Sequence, residues 1–169
     1  MEKPTIKELL IARARIAEWT HVTPVLSSDY FNRAVGAELF FKAENFQKAG
    51  SFKARGAVNA VFSLDSSRHS AGVATHSSGN HGSALAYAAS RRGIPCHVVM
   101  PSTAPMAKKA AVAGYGAAII ECAPTVSARE AALKEVAART MATVVHPYND
   151  PYVIAGQGSC ALELIEQVN

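Results

Sequence analysis

Gly72-Val73-Ala74-Thr75-His76-Ser77-Ser78-Gly79-Asn80-His81-Gly82, running on through an alanine-rich segment to Arg92-Gly93 and then Pro95-Cys96-His97-Val98-Val99-Met100, is the stretch that decides the fold. A short apolar run (72–75) predicts a strand. A polar turn follows, and 80–92 then has the composition of a helix, closed by Gly93. The second apolar run, 95–100, predicts another strand. Two strands joined by a helix are parallel, because a tight turn cannot connect parallel neighbours. The alternation continues: a helix over 105–113 closed by Gly114, a strand over 117–122, a helix over 127–140, a strand over 143–146, and a last helix from Pro151 to about Gln167. The predicted class is therefore α/β, a parallel sheet with helices on both faces, since right-handed crossovers distribute helices that way. Residues 68–150 contain four strands, enough for a small α/β domain.

The chain before this region is less self-sufficient. Ile6, Leu9, Leu10, Ala14 and Ile16 recur near helical spacing and predict an amphipathic helix over 6–18, broken by Thr23-Pro24. A short helix over 30–35 ends at Gly36, and Leu39-Phe40-Phe41-Lys42-Ala43 predicts a strand. With the helix that follows Lys53, these pieces read as part of a larger layer whose core nothing else here completes. The division expected is 1–67 as the N-terminal part of a large domain, 68–150 as a small domain, and 151–169 as a helix returning to the large one.

Composition removes several function classes. Of 169 residues, 49% are apolar and 18% charged, which is ordinary for a globular protein. The net charge of +4 is spread along the chain in short pairs such as Arg91-Arg92 and Lys108-Lys109, not in the clustered stripe that nucleic-acid binding wants. Cys96, Cys122 and Cys160 are odd in number and far apart, so neither a disulfide framework nor a metal site is indicated, and buried free thiols are expected. No stretch reaches the ~20 apolar residues of a membrane span. Met1-Glu2-Lys3-Pro4 leads into a charged amphipathic segment, not an apolar leader, and the expected location is the cytoplasm.

Three strings carry chemistry. In Gly50-Ser51-Phe52-Lys53-Ala54-Arg55-Gly56-Ala57, Ser51 reads as an N-cap and Lys53 sits among apolar neighbours where a loop becomes a helix. Burial and a helix N-terminus both favour the neutral, nucleophilic amine. A single lysine in a first helical turn is more often a solvated surface residue; the whole octapeptide changes that balance. In Thr75-His76-Ser77-Ser78-Gly79-Asn80-His81-Gly82, hydroxyls, small residues and the first N–H groups of a helix converge, which suits an anion such as a carboxylate, although an ordinary polar turn has the same look. Third come Lys42-Ala43-Glu44-Asn45-Phe46-Gln47-Lys48 and His146-Pro147-Tyr148-Asn149-Asp150-Pro151 with Gly156-Gln157-Gly158, each a turn by itself.

Taken together and in this order, these strings resemble the fold-type-II pyridoxal-phosphate (PLP) enzymes, in particular the N-terminal half of the threonine/serine dehydratase and serine racemase family. Ala54 after the lysine is similar to that branch; cysteine and threonine synthases usually carry Asp there. The resemblance implies a tryptophan-synthase-beta-like PLP fold, with an incomplete large domain plus the small domain. It implies pyridoxal 5'-phosphate on Lys53 as a Schiff base, with Phe52 near the ring and Asn80 at the phenolic oxygen. It implies a substrate carboxylate cradled by Ser77, Ser78, Gly79, Asn80 and His81, Arg129 near the substrate entrance, and Ser78 as the second acid–base group, opposite Lys53. The implied reaction is dehydration and deamination of L-serine or L-threonine to a 2-oxo acid and ammonia, with serine racemisation sharing the same first step; the residues do not choose between them. In relatives the phosphate is held by a glycine-rich loop, and in serine racemases a divalent cation such as Mg2+ is bound; neither site occurs in this chain. The expectation is therefore a fragment, a homo-oligomer, or a chain completed by a second chain. The rival reading is a truncated, non-catalytic paralogue acting through such association.

Overall fold

The computed structural model describes residues 3–168. Four parallel strands, β3 (Val73–His76), β4 (Cys96–Pro101), β5 (Ala118–Cys122) and β6 (Thr143–Val144), form a sheet in the order β5-β4-β3-β6. The chain steps outward from β3 to β4 to β5 and then returns to the far side of β3. With right-handed crossovers, that reversal puts α4 (Asn80–Arg92) and α5 (Met106–Gly114) on one face and α6 (Val126–Thr140) on the other. The strand alternation shows the same split. Val98 and Met100 pack with Ala84, Leu85 and Ala88 of α4, whereas Val99 and Ala74 pack with Leu133 and Val136 of α6. The α/β reading of the sequence is borne out.

Three further helices build a second layer on the α4 side. Helix α1 (Ile6–Ile16) starts at a capping box in which Glu8 N–H donates to Thr5 Oγ1 and Thr5 N–H donates to Glu8 Oε2 at 2.7 Å. Its buried residues are Ala12 and Ile16; Ile6 and Leu10 of the predicted stripe face outward. Helix α3 (Lys53–Phe62) lies between α4 and α7 (Pro151–Val168), and every residue from 54 to 61 is buried. This corrects the expectation that the α3 layer lacks a core. Closeness is achieved by paired glycines: a Cβ on Gly56 would stand 2.6 Å from Val153 O, and one on Gly156 only 2.4 Å from Arg55 O.

Apolar surface remains elsewhere. β1 (Val25–Leu26) pairs antiparallel with β2 (Phe41–Lys42), with α2 (Asp29–Val35) between them in the chain. Phe31 and Phe41 meet at 6.1 Å, yet Tyr30 is 71% and Phe31 51% exposed. The predicted strand over 39–43 shrinks to two paired residues. Gly36 and Gly93 cap α2 and α4 in the left-handed conformation as predicted. Gly114 does not close α5: it is the last helical residue, and Gly116 takes the left-handed turn at φ 81°. All three cysteines are free, but only Cys96 is buried, its thiol pushed up to about 12 by desolvation.

Candidate active site

β3 and β6 are neighbours, and beyond their carboxyl ends the chain continues into α4 and α7. That end of a parallel sheet is where α/β proteins bind ligands, and an open crevice lined by His76, Val144 and His146 lies there. The second and third strings of the sequence meet there. His76 ends β3, and His146 follows β6; their rings stand edge to face at 6.0 Å, with Tyr148 4.5 Å beyond His146. His146 Nδ1 accepts the backbone N–H of Asn149 at 3.0 Å and of Tyr148 at 3.4 Å, which fixes the turn. Burial lowers the His76 pKa, and the charge of Arg129, in the first turn of α6, lowers it further.

The first string arrives from the side. Lys53 is the first residue of α3, and its Nζ donates to the carbonyl of Pro147 at 2.8 Å. Partial burial holds its pKa below the ordinary lysine value, which increases the share of neutral amine. The Phe52 ring, 40% exposed, lies 5.2 Å from that nitrogen. The chain enters α3 through two left-handed residues, Ala49 at φ 54° and Gly50 at φ 72°. For alanine that conformation costs about 1–2 kcal/mol. Ser51 is not the N-cap. That position belongs to Phe52, without a side-chain cap, and Ser51 Oγ is buried with no partner among the described residues.

Arg55, 1% exposed, anchors this turn. It forms a two-pronged pair with Glu44 at 2.8 and 2.9 Å and another with Glu163 of α7 at 2.8 and 2.9 Å, and Lys42 Nζ joins Glu163 at 2.6 Å. Two cations and two carboxylates thus neutralise one another out of water, which is the condition for burying charge at all. Burial alone would raise the Glu163 carboxyl, but hydrogen bonds from Arg55 and Lys42 more than reverse it, so its pKa lies below the usual range.

The loop after β3 supplies donors. Ser77 Oγ accepts the N–H of Gly79 at 3.2 Å, and Gly79 caps α4 with no side-chain hydrogen bond, leaving the first N–H groups of the helix available. Gly82 lets α4 approach: a Cβ there would lie 3.0 Å from Val98 Cγ1 and 3.1 Å from Ser77 O. Ser77, Ser78 and Gly79 are half-buried and Asn80 is exposed. Asn80 Oδ1 accepts from Lys108 Nζ at 2.8 Å, so its amide NH2 is the end left for a ligand. His81 is buried, and its Nε2 donates to Val145 O at 3.3 Å. Desolvation pushes its pKa down to about 4, so the ring is neutral near pH 7 and its one N–H is already engaged.

The structure thus gathers Phe52, Lys53, residues 76–81 and residues 145–148 at one crevice, with Arg129 at its α6 side. The sequence reading missed two backbone carbonyls, Val145 O and Pro147 O, which no side-chain pattern advertises. It also missed Lys108, a helix lysine like any other in sequence, and the carboxylate partners of Arg55.

A family model described as pyridoxal-phosphate dependent enzyme matches residues 16–169. The chain belongs to that family. It is 58% identical over 166 residues to a beta-hydroxyaspartate dehydratase of Paracoccus denitrificans, covering 98% of this chain and 53% of the relative. It is 49% identical over 168 residues to a serine racemase of Dictyostelium discoideum, covering 99% and 52%. The structure of maize serine racemase superposes with a TM-score of 0.97 at 49% identity, covering 99% of this chain and 51% of that one. The chain spans about half the length of the curated relatives it matches.

The family's cofactor is pyridoxal phosphate, and the crevice fits its reactive end. It has a lysine with a depressed pKa, an exposed aromatic ring beside it and an amide whose NH2 is free. Buried Ser51 Oγ and His81 Nδ1 lack partners among the described residues, as polar groups beside a ligand often do.

Proposed function

We propose that this chain carries the lysine half of a PLP-dependent catalytic centre that dehydrates and deaminates L-serine or L-threonine to a 2-oxo acid and ammonia, with serine racemisation as the alternative outcome of the same first step. The observation that carries the reading is the Lys53 amine, partly desolvated and held on Pro147 O at the crevice beside the N-terminus of α4. Lys53 would hold the cofactor, with Phe52 beside its ring and the Asn80 amide available to its phenolic oxygen. When bound, the cofactor withdraws electrons from the substrate's α-carbon. Residues 77–81 hold the substrate carboxylate through N–H groups and hydroxyls, with Arg129 near the entrance, and so orient the α-proton toward Lys53 Nζ, which removes it. Loss of the β-hydroxyl as water gives an unsaturated amine that hydrolyses to the 2-oxo acid and ammonia. Ser78 Oγ returns a proton on the opposite face when the outcome is racemisation. The serine racemase relatives support the substrate class, and the dehydratase relative supports elimination. Cytoplasmic residence belongs to the same proposal.

A second reading, a non-catalytic chain that acts by associating with another chain or with its own copies, draws on the apolar surface left open at Tyr30, Phe31 and Phe41. Borohydride reduction in the presence of PLP, followed by peptide mapping, separates the two. The catalytic reading expects one label, on Lys53. Label spread over other lysines, or none in a folded protein, overturns it.

A further inference from the structure

Lys53 and His81 lie on different helices and share no hydrogen bond, yet both grip the same short segment. His81 Nε2 donates to Val145 O at 3.3 Å, and Lys53 Nζ donates to Pro147 O at 2.8 Å, two residues further on. Val145 is 2% exposed and sits in the main core; Pro147 is half-buried at the crevice. The segment is thus held at its inner end twice, by Val145 N–H donating to Ala74 O at 2.9 Å and by His81 on Val145 O, and offers its outer end to the lysine. Because Val145 O can only accept, the His81 proton must be on Nε2, and Nδ1 is an unprotonated nitrogen, buried and unpartnered among the described residues. Gln157 Nε2 and the hydroxyls of Ser51, Thr75 and Ser83 are also buried without partners among the described residues.

We propose that His81 is a positioning residue for Lys53: as a neutral Nε2–H imidazole it pins the Val145 carbonyl and thereby sets the Pro147 carbonyl against which the lysine amine rests. The proposal rests on Lys53 being the reactive lysine, and it assigns His81 a task separate from substrate contact. The groups whose charges act on His81 are Lys53, His146 and His76, all cationic when protonated, so a charged His81 ring would stand among like charges. Neutrality is therefore part of the device: the ring holds the segment without repelling the ammonium that docks on it. Without the pin, the segment keeps only its sheet-side bond to Ala74 O, the Pro147 carbonyl shifts from Lys53, water reaches the amine, and the lysine reverts toward ordinary behaviour.

The test needs no cofactor. Competitive acetylation across pH, read by peptide mapping, gives the titration midpoint of each lysine in the native chain and in His81→Gln and His81→Leu. The glutamine amide can replace the Nε2–H donor; leucine cannot. The expected result is a Lys53 midpoint below those of exposed lysines in the native chain and in His81→Gln, and a rise to the midpoint of the exposed lysines in His81→Leu. An unmoved midpoint in a folded His81→Leu overturns the proposal. If His81→Leu does not fold, nitrogen-detected NMR of the native ring decides: an Nε2–H tautomer at pH 6 is required, and an Nδ1–H tautomer or an imidazolium overturns it. Failure of Lys53 to take PLP would count against the proposed function and leave these readouts unaffected.

Discussion

Gly156 and Gly114 show how differently one residue type behaves in this chain. Gly156 has Arg55 O, Asn59 Cβ and Gly56 Cα within 2.8 Å of where a Cβ would sit, all parts of a helix that cannot retreat. Gly156→Ala is expected to lower stability by about 1–3 kcal/mol or more through forced separation of α3 and α7. Gly114 has open space and an ordinary helical φ, so Gly114→Ala should raise stability by about 0.4–1 kcal/mol through a less mobile unfolded chain. Urea unfolding of both variants checks the contrast, and equal effects would mean that the helix contact is looser than described. Ser78 invites a functional test at the same scale. In a protein extended to the length of its relatives, Ser78→Ala should remove racemisation more severely than dehydration, because only racemisation needs a proton on the far face. Chiral analysis of serine alongside 2-oxo acid release reads both, and parallel loss would count against that role.

Among elements, the seams joining α3 and α4 to the rest are titratable. The His81 pKa falls from 6.5 to about 4 on folding. Between those values the unfolded chain binds a proton that the native one refuses, so stability declines as pH drops from about 6.5 to 4, by up to about 3 kcal/mol. Glu163 acts lower down. Its folded pKa lies below the unfolded value of 4.5, so the stability it adds is complete above that pH and is lost as pH falls through the folded value. Urea midpoints across pH should therefore show a first decline that His81→Gln flattens and a second, more acidic decline that it leaves in place. A single decline unaffected by the substitution would contradict the burial of His81. The elements themselves were legible where pattern and chemistry agree: α4 ends at Gly93 as read, and the apolar run over 95–100 becomes β4. Legibility failed where long-range packing decides. Ile6 and Leu10 have the right spacing for a core stripe, but α7 covers the side of α1 that carries Ala12 and Ile16. Ser51 has the chemistry of a cap, but the turn through Ala49 and Gly50 makes Phe52 the capping residue instead. Lys53 and residues 77–81 were readable as motifs; the carbonyls that join them, at Val145 and Pro147, carry no side-chain signature.

For the whole molecule, the apolar residues of β1, α2 and β2 set the solution behaviour. Burying a large apolar side chain is worth roughly 1.5–3 kcal/mol, and Leu26, Tyr30, Phe31, Val35 and Phe41 all remain 44–71% exposed. Surface of this kind favours association. The 169-residue chain is therefore expected to sediment as more than a monomer and to bind a hydrophobic dye, and Phe31→Lys with Phe41→Lys should reduce both; a monodisperse, dye-silent native chain would contradict it. The docking of α1 on α7 carries another consequence. Leu9 lies where a Cβ on Gly158 would touch it, and Arg13 pairs with Glu166, 153 residues away. At a synthesis rate of about 5–20 residues per second, roughly 8–30 s separate the emergence of the two partners from the ribosome. During that interval α1 can dock on α3 but lacks the cover that α7 supplies, and a translational pause before residue 158 would prolong the availability of that side to chaperones that recognise nascent apolar helices.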